Sequence, residues 1–345
     1  MNNQRKIVLA SVLAVIITTS LLGWFVVKKT NQNRDPEVIR VSDSSVPNNF
    51  ELAKRLTGKD ILKEEAVSLK PITIHGAGGG LALLGHNTDV GGGSISIWVN
   101  AIGRGAKAKL LLPGSITERP EQSGLLVLEE SNIHTIKDLV GKKIAVNVLG
   151  AEADFIIRIF LKQNGLSNNQ VELVVVPNEN QEQVLRSHQV DAVAWTSTGG
   201  LQFDRAVENG GVRRISGTSS FETRGGVSQI ITVEVFRDDF IKEHPELVRR
   251  YLRAVDRARY IVWQEFQKNP DRVRKAYGEI SAEKGGNPEL AKFYRGVRWS
   301  PKHQFIRDSD IQFWVDRFTE AGMFKPGQIK LSDVYTNEFN PLYKK

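Results

Sequence analysis

The chain of 345 residues has no cysteine. That excludes disulfides, thiolate metal sites, a cysteine nucleophile and a lipid-modified cysteine. The string 20-SLLGW-24 has Trp24 where a lipoprotein signal would need that cysteine. Histidine is scarce too: the six (His75, His86, His134, His188, His244, His303) form neither H-E-x-x-H nor a clustered ligand set, so no metal site is expected. The glycine clusters match neither G-x-G-x-x-G nor G-x-x-x-x-G-K-[ST], and there is no G-x-S-x-G elbow. No acid–base pair of carboxylates stands out by spacing. The reading is therefore of a protein that is not an enzyme and carries no cofactor.

What is present is ordinary for a folded protein: 40% apolar and 25% charged residues, with a formal net charge of +8. Part of that charge flanks an apolar run, 7-IVLASVLAVIITTSLLGWFVV-27, preceded by Arg5 and Lys6 and followed by Lys28 and Lys29. At about 1.5 Å per residue, the run is long enough to cross a hydrocarbon layer of roughly 30 Å. It reads as an uncleaved signal-anchor over residues 1–29, with a cleaved signal peptide as the alternative. The polar stretch 30–37 reads as a tether. Orientation would place the body outside the cytoplasm. Another part of the charge lies in the helix 249-RRYLRAVDRARY-260, whose arginines read as a solvated or packing face. No basic stripe is interleaved with aromatics, so no nucleic-acid partner is expected.

Strands and helices alternate through most of the body, which predicts α/β units with parallel sheets. The reading runs from a strand at 38–44 through a helix over 49–67 and a strand at 72–76. Further strands follow at 88–92 and 109–114, on either side of a helix over 95–106. A second unit holds strands near 143–147, 171–177, 190–196 and 212–216, with helices over 153–164, 180–188 and 201–209. Beyond Ser228 a last strand gives way to helices. A faint echo links the halves. A strand with Asp near its start, then a Gly/Ser/Thr loop, occurs around Asp89 and again around Asp191, as expected of two similar lobes. Lobe 1 takes residues 38–126, lobe 2 takes 127–227, and 228–345 return to lobe 1. The hinge is expected around Leu125–Glu129 and Ser228–Val235.

Strand ends release small polar residues beside helix starts. The candidates are Ser42 and Ser44; Gly92, Gly93 and Ser94; Gly150, Ala151 and Glu152; and Trp195 and Thr196. In open α/β sheets ligands sit beyond the carboxyl ends of strands, and helix N-termini offer unpaired N–H groups. Two lobes that bring such loops to one cleft make a clamp for a small-molecule ligand. The open question is whether Gly91-Gly92-Gly93-Ser94 is such a binding loop or a plain turn. Trp195 has two readings, stacking on a ligand or packing in the core.

The run 136-IKDLVGKKIAVN-147 resembles the "DLKGKKVAV" signature of periplasmic substrate-binding proteins of ABC importers, in the branch for nitrate, aliphatic sulfonates, taurine and thiamine-pyrimidine precursors. Three further stretches fall in that family's order: 88-TDVGGGS-94, 190-VDAVAW-195 and 239-DFIKEHPELVRRYLRAVDRA-258. The likeness covers roughly residues 38–280. It implies a two-lobed Venus-flytrap fold of type II, a solute captured between the lobes, and an ABC permease and ATPase as partners. Arg224 is the candidate for pairing an anionic ligand. Glu152 and Asp154 depart from the family's neutral helix start and would oppose an anion there. The alternative is a membrane-tethered sensor or accessory binding protein with the same fold and no importer. An enzymatic relative resembling the fold, a pyrimidine-precursor synthase, uses a cysteine-rich motif that this chain lacks.

Overall fold

The structure is a computed structural model that describes residues 37–42, 48–73, 79–116, 123–196, 199–218, 230–299 and 304–342. The apolar run 7–27, most of the tether, Ser44, His75 and Arg224 lie outside the described residues. Among the described residues no helix is long and apolar enough to cross a membrane.

The chain opens with β1 (Glu37–Ser42), paired in parallel with β2 (Val67–Ile72). Between them α1 (Asn49–Thr57) starts on a capping box of Asn48 and Glu51 and stops at Gly58, whose φ of 72° ends the helix. The single helix expected to Val67 is thus two pieces: Asp60 caps a separate turn, α2 (Ile61–Glu64), and Val67 already belongs to β2. The strand placed at 72–76 lies earlier for this reason. Pro71 is tolerated in it because β2 is an edge strand. The chain continues through α3 (Gly79–Leu84), β3 (Val90–Gly91), α4 (Ile95–Gly103) and β4 (Ala108–Pro113). β3 and β4 flank β10 (Val233–Arg237), antiparallel to both.

β1-β2 and β3-β10-β4 are thus separate sheets of two and three strands, and a third sheet has five strands in the order β7-β6-β8-β5-β9. They are β5 (Gly124–Leu128), β6 (Lys143–Val146), β7 (Glu172–Val175), β8 (Ala192–Trp195) and β9 (Val212–Arg214). α5 (Glu152–Gln163), α6 (Asn178–Arg186) and α7 (Gly200–Glu208) connect them. β6 is parallel to β7 and β8, whereas β5 is antiparallel to β8 and β9. β5 therefore lies wholly within this sheet, not in a crossing as expected for Leu125–Glu129. The chain changes sheet between Ile116 and Ser123, and returns between Thr218 and Ile230. An isolated bridge joins Ile116 to Ile230.

The remainder is mostly helical: α8 (Asp238–Glu243), α9 (Pro245–Lys268), α10 (Pro270–Glu283), α11 (Asp308–Glu320) and the short α12 (Leu331–Val334), with a 3-10 turn at Pro288–Phe293. α9 spends its arginines on the fold's own acceptors. Arg253 and Arg257 hold Glu65 at 2.8 and 2.7 Å, and Arg250 donates to the Ala66 carbonyl at 2.7 Å. The buried Arg259 donates to the Pro113 carbonyl and to Glu234, both at 2.6 Å. It so ties β4, which leads into the first crossing, to β10, which follows the second.

The echo around Asp89 and Asp191 is a repeated set of bonds. The Asp89 N–H donates to the Arg40 carbonyl (2.9 Å) and its carboxylate accepts the Arg40 N–H (2.8 Å). The Asp191 N–H donates to the Lys143 carbonyl (2.9 Å) and its carboxylate accepts the Lys143 N–H (2.8 Å). Each aspartate clasps one residue of the neighbouring strand. With the first clasp joining β1 to β3, the order β2-β1-β3-β10-β4 repeats β7-β6-β8-β5-β9 strand for strand. α1, α3 and α4 then match α5, α6 and α7.

Candidate functional site

The three glycines after Val90 are there for three different reasons. Gly91 is buried, and an added Cβ would stand 2.8 Å from Leu83 and 3.0 Å from the Trp98 ring, so this glycine is a packing requirement. Gly92 is exposed and a Cβ there would meet only the Val233 carbonyl at 3.8 Å. Gly93 has a φ of 109°, a conformation that side chains rarely adopt. The Gly92 carbonyl accepts the Trp98 indole N–H at 3.0 Å, and the Gly93 carbonyl accepts from Val233 at 3.1 Å. Both carbonyls are thus turned into the fold, while no described acceptor takes the Gly92, Gly93 or Ser94 N–H. Ser94 is the N-cap of α4, but its hydroxyl bonds Ser96 at 2.7 Å instead of capping the helix. The loop so offers consecutive amides beside an uncapped helix start, an arrangement suited to an acceptor-rich solute.

The loop before α5 is already spent. The Gly150 N–H donates to the Asp154 carboxylate at 2.8 Å, and the Ala151 N–H to the Val148 carbonyl at 3.4 Å. Neither amide is open to a ligand in this arrangement, contrary to the expectation for both residues. Asp154 also accepts from Arg158 at 2.5 Å, so its charge is offset within its own helix. Glu152 is 3% exposed and engaged.

In the loop after β8, which matches the loop after β3, Trp195 is 1% exposed and lies edge-on to Phe203 at 6.3 Å. A Cβ on Gly199 would come within 2.4 Å of that ring. The ring is core, and the stacking expected of it gives way to packing. Thr196 is buried and engaged, and its carbonyl caps the turn to Gly199 at 3.0 Å. Ser42 ends β1 in an exposed position.

The two units meet through α5. Phe155 leaves its own unit and packs against Trp314 (5.8 Å between ring centres) and Phe318 (4.9 Å) of α11, which lies on the side of α4. Lys162 pairs with Glu320 at 3.4 Å, and Asp204 of α7 pairs with Arg295 at 2.9 Å. A cavity of about 750 Å³ follows the exposed face of α5. Gly150, Asp154, Arg158 and Lys162 line one wall, and Asn100, Arg317 and Glu320 the other. Of the described residues predicted from sequence, Gly150 lines it. Arg158 and Lys162 follow Asp154 at helical spacing and were readable as one face of α5; Arg317 comes from a distant stretch with no signal linking it to them.

Residues 102–273 match the model of the family described as NMT1/THI5 like. Through this segment the chain belongs to that family. A NMT1/THI5-like assignment agrees with a stretch of 84 residues that is 42% identical to a Haemophilus influenzae protein provisionally named a thiamine biosynthesis protein; it spans 24% of this chain and 26% of that one. The alkanesulfonate-binding protein SsuA of Xanthomonas axonopodis pv. citri, solved with MOPS bound, superposes with a TM-score of 0.67 over 88% of this chain and 99% of that one, at 17% identity. The desulfurization enzyme DSZB superposes with a TM-score of 0.57 over 89% and 97%, also at 17% identity. At such identities the likeness is one of fold: the α/β fold of periplasmic binding proteins, which also carries an enzyme.

Proposed function

We propose that the protein is an extracytoplasmic solute-binding protein. It captures a small polar or anionic organic solute, sulfonate-, taurine- or nitrate-like, between two lobes and delivers it to an ABC permease and its ATPase. The carrying observation is the repeated strand order, which sets strand-end loops at equivalent places in two units between which the chain passes twice. Support comes from the family assignment and from a sulfonate-binding protein of like fold. The solute is held by the amides of Gly92, Gly93 and Ser94 and the start of α4 on one side, with Ser42, Ser44, Thr196 and Arg224 as further contacts. Closure about the crossings follows from the solute's contacts with both lobes. The run 7–27 anchors the protein to the outer face of the membrane or exports it.

The test is a thermal-shift screen of the purified protein with sulfonates, taurine, nitrate, pyrimidines and amino acids. A solute at a hundred times its Kd adds about 2.7 kcal/mol to stability. Gly92→Val is the cleaner probe of the loop, because Gly92 has neither the φ of Gly93 nor the packing of Gly91. It should abolish the solute-induced shift and leave the unliganded midpoint nearly unchanged. An unaltered solute shift in this variant would remove the loop from the site. A second reading, an enzyme, is favoured by the fold shared with DSZB; consumption of any stabilising solute by the protein alone would establish it. A sensor role without an importer is separated from transport by whether solute uptake by cells stops when the protein is lost.

A further inference from the structure

We propose that the groove between α5 and α11 is a second ligand site, for an organic monoanion with an apolar or aromatic body. It runs along α5 from Gly150 to Asn168 and is lined by none of Gly92, Gly93, Ser94 or Thr196. Its volume of about 750 Å³ lies within the range of small-molecule sites, roughly 300–1,000 Å³. Phe155, Ile159, Leu166 and Met323 supply apolar wall.

The sign of the ligand follows from the charges. Arg158, Lys162 and Arg317 line the groove with Asp154 and Glu320, which leaves one positive charge in excess. Both carboxylates are already committed: Asp154 to Arg158 and to the Gly150 N–H, Glu320 to Lys162 (3.4 Å) and Arg317 (3.0 Å). The guanidinium groups are committed only in part. Arg158 reaches Asp154 through Nε, and no described acceptor takes its two terminal nitrogens. Arg317 gives one N–H to Glu320, while its Nε is shut off from water without an acceptor. Arg158 thus keeps two terminal nitrogens that a carboxylate or a like monoanion can take together, and Arg317 keeps one for a single bond, while the body lies on the apolar wall. A neutral solute would leave the excess charge, and a cation would add to it. Because the walls belong to different units, such a ligand bridges them beside Phe155. The inference does not depend on which solute the strand-end loops take.

The probe is phenylbutyrate, titrated by calorimetry into the full-length protein held in amphipol, beside phenylbutanol and phenylbutylamine. Phenylbutyrate is expected to bind at least tenfold more tightly than the alcohol, and the amine not at all. Arg158→Gln and Arg317→Gln should each weaken it about fivefold or more, and Lys162→Gln less. Gly92→Val should leave it unchanged. Equal affinity for acid and alcohol, no binding of the acid, or wild-type affinity in the Arg158→Gln/Arg317→Gln double variant would overturn the proposal. Loss of phenylbutyrate binding in Gly92→Val would also overturn it, by placing the probe in the strand-end loops and leaving the transport reading intact. The ligand series on the unmodified protein decides the sign of the charge even where a variant folds poorly.

Discussion

Asp89 and Asp191 make the same pair of bonds, one from the backbone N–H and one to the carboxylate, in two units of the same strand order, yet the units differ in what else joins the clasped strands. Around Asp191, β6 and β8 also pair along a ladder, Ile144 with Ala192 and Ala145 with Val193. Around Asp89, no ladder joins β1 and β3 among the described residues. There the aspartate reaches further: its side chain is 6% exposed and takes the Arg40 guanidinium as well, at 2.5 Å. Asp191 is 36% exposed and meets Lys142 at 3.4 Å. The difference teaches that a repeated sequence element can hold the same bonds with unequal weight. Where the ladder is missing, the side chain carries the junction.

The largest expected effect tests whether the two units are one body. Phe155 is the aromatic that α5 places against Trp314 and Phe318 of the other unit. Phe155→Ala should cost about 4 kcal/mol of unfolding free energy, the usual loss for a buried phenylalanine. A loss under about 1 kcal/mol in denaturant unfolding would mean that the contact does not hold the units together, and that the clasps must be compared as parts of independent domains.

Next come the clasps themselves. Asp89→Ala takes the carboxylate from the Arg40 N–H and guanidinium and leaves a single backbone bond, from the residue-89 N–H to the Arg40 carbonyl, between these strands. It should cost about 3 kcal/mol, at the low end for a broken buried pair because Arg40 remains a third exposed. Asp191→Ala loses one backbone bond beside an intact ladder and should cost about 1 kcal/mol. Equal losses by chemical denaturation would break the comparison. A larger loss at Asp191 would reverse it.

Much of this was legible in the sequence where the signal is local. The helix read at 153–164 is α5 within a residue at each end, and Gly165 takes the φ of 74° expected of a residue that stops a helix. The Asp echo was legible because both aspartates sit at the start of a strand with a small-residue loop after it. What failed depends on partners far along the chain. β5 looked like a crossing because its hydrophobic run carries no mark of the two strands beside it. Trp195 at a strand end reads alike for a ligand platform and for core, and only Phe203 and Gly199 decide it. Gly150 promised a free amide, which Asp154 in the next turn consumes. Nor did the sequence tell the three glycines apart: Gly91 packs against Leu83 and Trp98, Gly93 takes a φ of 109°, and Gly92 is exposed with room for a side chain.

The smallest effect sharpens the comparison through charge rather than bonds. Glu182, in the five-stranded unit, is pushed up by burial but held below its ordinary 4.5 by Asn209, Arg186 and Arg205 together. Its folded value is the lower one, so its stabilisation is present above 4.5 and is lost as pH falls through that folded value. Asp256, on α9 in the other unit, behaves with the opposite sign. Burial raises its carboxyl above 3.8, and neither the charge of Arg259 nor the hydrogen bond from Trp299 brings it back. Its ionised form therefore opposes folding at neutral pH, and the penalty fades as pH falls through the raised folded value and is gone below 3.8. Asp256→Asn, which keeps an oxygen to accept from Trp299, should raise the unfolding midpoint slightly at neutral pH and change nothing in acid. A midpoint lowered at neutral pH would show that the attraction to Arg259 outweighs burial. That arginine ties β4 to β10 next to the crossings, so the result also tells whether Asp256 supports the tie or merely sits beside it.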